Sequence, residues 1–83
     1  MKIQHYTAIF QKEPKGGYTV IIPALPGCVT YGETIEEAAA AAKEAIESYL
    51  GSLAKDGETA PEDVSFVSTI DVPHESNKAV VYA

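Results

Sequence analysis

The sequence predicts an α+β domain of two layers, in the order β-β-β-α-β, with a sheet covered on one face by a single helix. Three observations carry this reading. Apolar residues recur at alternate positions before Thr34 and again after Asp63, over 35–55 they recur with the period of a helix, and prolines and glycines cut the first third of the chain into short extended pieces. Length sets the scale, because 83 residues bury only about 60 to 65% of the surface the unfolded chain exposes. One domain over 1–83 with one thin core is the ceiling.

The elements follow in chain order. Ile3 to Phe10 is rich in β-branched and aromatic residues and predicts a strand over about 3–11. "QKEPKGG" then supplies turn chemistry, and Tyr18 to Ile22 resumes the β pattern, so a second strand over about 18–23 closes a hairpin. "PALPG" interrupts the backbone twice, since each proline lacks an amide donor and biases the residue before it toward extended geometry. A short third strand over about 28–32 ends at Gly32.

At Thr34 the period changes. Thr34 and Glu37 have the spacing of a capping box, in which the hydroxyl accepts from the Glu37 amide and the Glu37 carboxylate reaches back to the Thr34 amide. Ile35, Ala38, Ala42, Ala45, Ile46, Tyr49 and Leu53 then share one face, with Glu36, Glu37, Lys43, Glu44 and Glu47 mostly turned away. Five alanines over 38–42 favour a helix and let it lie close to its support. The helix is expected over about 35–55, with Gly57 as its stop and "TAPED" as the exit loop. Val64, Phe66, Ile70 and Val72 alternate with Ser65, Thr69 and Asp71, which predicts a return strand over about 64–72, parallel to one of the first three. "AVVYA" suggests a short strand over 79–82, either in its own sheet or on the sheet edge of another copy.

Composition narrows function by exclusion. With 46% hydrophobic and 22% charged residues the chain is an ordinary globular protein. Twelve acids stand against six lysines, with no arginine, for a net charge of −6. Such a surface is repelled by phosphate backbones, so direct nucleic-acid binding is not expected and a basic protein is the better partner. Cys28 is alone and forms no internal disulfide. "MKIQHYTAIF" has no continuous apolar run of the kind a signal peptide or membrane span needs, which makes the cytoplasm the expected location and a membrane partner unexpected.

No catalytic constellation emerges. "GGYTVIIPALPGCVTYGET" matches neither phosphate-loop pattern, and Glu33, Glu36 and Glu37 occupy the positive end of the helix dipole where an anion would sit. His5, His74, Cys28 and the scattered acids lack metal-ligand spacing, so no metal or cofactor is expected. Cys28 follows Gly27 at the start of an apolar strand and reads as packing. The helix acids describe a solvated ridge, which ranks a residual metal-dependent hydrolase last among the readings.

Burial supplies a positive argument. Ile3 and Ile9 alternate with Tyr6, Ala8 and Phe10, while Ile21 alternates with Tyr18, Val20 and Ile22, so both faces of the sheet are apolar and one helix covers only one of them. The other face is expected to meet a second copy, a different protein, or both.

The motif "P-x-L-P-G-C-V-T-x-G-x-T-x-E-E-A" over 23–38, with Tyr6, Phe10, Gly17-Tyr18 and "A-I-E-x-Y-L" over 45–50, resembles the HicB family of antitoxins, and the likeness spans roughly residues 5 to 62. The resemblance implies a partial ribonuclease-H-like fold without that fold's catalytic acids. It implies a partner too: a small basic HicA-type ribonuclease that cleaves messenger RNA, with the antitoxin covering its active site. Many relatives add a C-terminal DNA-binding module. Here some twenty residues follow the exit loop and read as strand, so the chain is expected to be a short form that does not bind its promoter.

The expected function is thus a non-enzymatic antitoxin of a type II toxin-antitoxin system. The alternative is an orphan oligomeric domain with a structural or regulatory role and no toxin. Candidate partner contacts are Tyr18, Pro26, Tyr31, Glu33, Glu36 and Glu37; candidate self-association residues are Tyr6, Phe10, Ile21, Val80 and Tyr82.

Overall fold

A computed structural model describes residues 3–74. Strands β1 (Ile9–Lys12), β2 (Tyr18–Ile21) and β3 (Val29–Gly32) form an antiparallel sheet in the order β1-β2-β3, and helix α1 (Ile35–Lys55) follows. The α+β class is the expected one, and α1 has the expected limits.

Register sorts the strand residues by face. Phe10, Val20 and Thr30 form one cross-strand row and Lys12, Tyr18 and Gly32 another, both on the side that α1 packs against. The helix supplies Ala38 and Ala42 to a core completed by Val20, Ile22, Leu25 and Cys28. The alanines permit a close approach, and Gly32 permits a closer one. A Cβ at Gly32 would lie 2.3 Å from the Ala38 amide nitrogen, so only glycine fits beneath the first turn. The helix rests on β3 and β2. It does not shelter β1, all four of whose residues are exposed.

Both helix ends are capped. The Glu37 amide donates to Thr34 Oγ1 at 3.1 Å, as the sequence implies. The return contact lands one residue earlier than expected, because Glu37 Oε2 accepts from the Glu33 amide at 3.2 Å. At the far end the amides of Gly57 and Glu58 donate to the carbonyls of Ala54 and Leu53, and Gly57 adopts φ 72°. That is a Schellman stop.

The "PALPG" stretch is a pair of linked turns. The Leu25 amide donates to the Ile22 carbonyl and the Cys28 amide to the Leu25 carbonyl, while the Ile22 amide returns to the Cys28 carbonyl. These bonds drop Leu25 into the core, where it is fully buried between two prolines that stay nearer the surface.

Two expected strands need correction. The ladder of the first covers Ile9–Lys12 instead of 3–11, because residues 3–8 have no strand beside them. The return strand over 64–72 does not form: no residue after α1 pairs with the sheet among those described. Cover explains the difference. A strand beside β1 would lie outside the footprint of α1 and bury few of its alternating apolar side chains, leaving ladder hydrogen bonds worth only about 1 kcal/mol each to hold it. The chain is instead pinned at the exit loop. Asp63 accepts from the Thr7 amide and hydroxyl, both at 2.8 Å, and Tyr6 donates to the Pro61 carbonyl at 2.5 Å. The strand expected over 79–82, with Val80 and Tyr82, lies outside the described residues.

Candidate protein-binding surface

The face of the sheet turned away from α1 carries the remaining rows. Ile9, Ile21 and Val29 lie opposite one another across all three strands, and Gln11, Thr19 and Tyr31 form the adjacent row toward the β1–β2 turn. No described element covers them. Ile9, Val29 and Tyr31 are 46%, 55% and 46% exposed, so the centre of the face is a continuous apolar stripe in water.

Tyr31 is held at the edge of this stripe. Its ring passes over Gly17, where any Cβ would collide with the phenol, and its hydroxyl donates to the Gly16 carbonyl at 3.1 Å. Carboxylates gather at the same end. Glu13 accepts from the Thr19 hydroxyl at 2.7 Å, and Glu33 and Glu37 meet each other through the cap of α1. Partial shielding from water pushes the Tyr31 phenol above its ordinary value, and the charge of Glu33, with Glu13 and Glu37 behind it, pushes in the same direction. An apolar stripe ending in an anchored aromatic and three acids is complementary to a basic protein surface.

The candidate residues separate on this geometry. Ile21 lies at the centre of the open face, Tyr31 at its margin, and Glu33 and Glu37 beside Tyr31; Glu36 is exposed in the first turn of α1. Tyr18 is on the helix side, half-buried against the core, and Pro26 is exposed at the opposite end of the sheet. Tyr6 packs on the core and is tied to the exit loop, and Phe10 shares the helix-side row with Val20, at the β1 margin that α1 leaves open. Ile9, Val29 and Glu13 belong to the surface although they were not among the candidates. Their membership depends on register, which sequence period alone does not fix.

Cys28 is buried, and desolvation pushes its thiol up, away from the reactive thiolate. Among the described residues no three His, Cys, Asp or Glu side chains converge as metal ligands, and no helix is long and apolar enough to cross a membrane.

Fold and surface together define a small α+β domain, with one face of its sheet closed by a helix and the other open. Comparison with known proteins supplies the family. A profile describing the HicB-like antitoxins of bacterial toxin-antitoxin systems matches residues 6–83, and the chain belongs to that family. It is 50% identical over 58 residues to a UPF0150 protein of Thermoplasma acidophilum, covering 70% of this chain and 84% of the relative. It is 37% identical over 71 residues to a UPF0150 protein of Synechocystis, covering 86% and 90% of the two.

Proposed function

We propose that this chain is an antitoxin that binds a small basic HicA-type ribonuclease in the cytoplasm, masks its active site and catalyses no reaction itself. The observation that carries the reading is the open sheet face, where the row Ile9, Ile21 and Val29 runs beside Tyr31 and the carboxylates of Glu13, Glu33 and Glu37. The apolar row supplies area to bury, and the acids select a cationic partner and speed its encounter. Membership of an antitoxin family supports a toxin as that partner. On this reading Tyr31 and Ile21 are contact residues, Glu33 and Glu37 steer, and Tyr18 supports the sheet from behind.

The test is growth rescue. Co-expression of the chain with the small basic protein encoded beside it restores growth, and Ile21→Asp abolishes rescue while the soluble protein level is unchanged. Rescue by Ile21→Asp at the wild-type level would place the contact on another surface.

A further inference from the structure

A second interaction surface lies at the unpaired edge of β3. A groove of about 500 Å3 lies between the start of β3 and the C-terminal half of α1, lined by Gly27, Val29, Ala45, Tyr49, Ser52 and Leu53 among others. No β2 residue lines it, and β3 is the edge strand on that side of the sheet. No charged side chain lines it either. Unlike the margin of β1, this edge lies beneath the helix, so a strand added here gains both ladder bonds and apolar cover.

The chain carries a segment suited to that position and holds it away. Residues 64–72 contain one charge, Asp71, and alternate Val64, Phe66, Ile70 and Val72 on one side. Phe66 and Ile70 are 83% and 80% exposed and Val72 76%, so the segment is an unsheltered β-prone arm. Its root is fixed on the wrong side of its own sheet. Asp63 is clasped by Thr7, directly before β1, two strands away from the β3 edge. From there the arm would have to cross the strands of its own protomer instead of running along β3.

From these positions we infer that the arm 64–72 of one copy adds as a strand to the β3 edge of a second copy, with part of its apolar row Val64, Phe66, Ile70 and Val72 meeting the groove. Reciprocal exchange of two arms closes a symmetric dimer. The near absence of charge on both arm and groove lets two copies of net charge −6 meet where their repulsion is weakest. This inference uses the free edge of β3, where the toxin-binding reading uses the open face, and Val29 belongs to both.

Complementation between two full-length variants tests it. Phe66→Asp with Ile70→Asp spoils the arm at side chains 83% and 80% exposed in their own protomer, and Ser52→Arg blocks the groove from an exposed helix position. The wild-type chain is expected at twice the 8.8 kDa protomer mass by light scattering, and each variant alone at the protomer mass with a wild-type circular dichroism spectrum. An equimolar mixture of the two variants retains one intact arm and one intact groove, and is expected to regain the dimer mass. Either variant remaining dimeric alone, a mixture that stays monomeric, or a monomeric wild-type chain would overturn the inference.

Discussion

Val20 and Ile21 are neighbours on one strand, alike in chemistry, yet Val20 is fully buried under α1 and Ile21 faces outward in a row whose flanking members are half exposed. The difference lies in the supply of covering elements. One helix closes one face, and the second face keeps an apolar row that no described element covers. The same logic separates the two edges of the sheet: β1 has no helix above it and fails to recruit residues 64–72, whereas β3 has one and offers a groove.

The two faces are expected to respond to substitution in opposite ways. The largest loss of stability comes from the covered face: Gly32→Ala drives a methyl group into the backbone of Ala38 and costs about 3 kcal/mol, measured by urea denaturation. Thr34→Ala acts on the same layer more gently, removing the hydroxyl that accepts from the Glu37 amide; it costs about 1 kcal/mol, or about 4 to 8 °C in melting temperature for a domain of this size. A substitution on the open face that cost as much would erase the distinction.

The smallest effect concerns the pin between the exit loop and β1. The Thr7 amide, and to a lesser degree its hydroxyl, hold the Asp63 carboxyl below its ordinary value of 3.8, against an opposing contribution from desolvation. A carboxylate lowered in the folded state contributes stability above its unfolded pKa, and that contribution disappears as pH falls through the lowered folded value. Melting temperature followed from about pH 5 to pH 2 is therefore expected to fall less steeply for Asp63→Asn than for the parent chain. Identical slopes would mean that the clasp does not persist in solution.

What was legible in the sequence was whatever is decided locally. Thr34, the alanine run and Gly57 set the limits of α1 by capping and propensity, and both ends fall where those residues place them. Alternation over 64–72 was legible too, but it reports only that a segment suits a pleated surface and says nothing about whether a covered edge is within reach. Leu25 was hidden because its neighbours are turn formers, and three linked backbone bonds decide that it points inward. The open face was foreseeable as a surplus of apolar residues, with Ile9 and Ile21 among them. Its composition was not, since pairing Ile9 and Val29 with Ile21 depends on register.

The claim beneath all of this is that the open face is reserved for a protein partner and contributes little to the protomer's own stability. Titration calorimetry of the purified chain against the small basic ribonuclease proposed as its partner, with a melting curve for each variant, tests it most directly. Ile9→Asp, at a side chain 46% exposed in this row, is expected to weaken binding by at least about tenfold, or 1.4 kcal/mol, with the melting temperature held within about 2 °C, the shift of a surface substitution worth less than 0.5 kcal/mol. Unchanged affinity, or a loss of affinity that merely follows a collapse in melting temperature, would contradict the account.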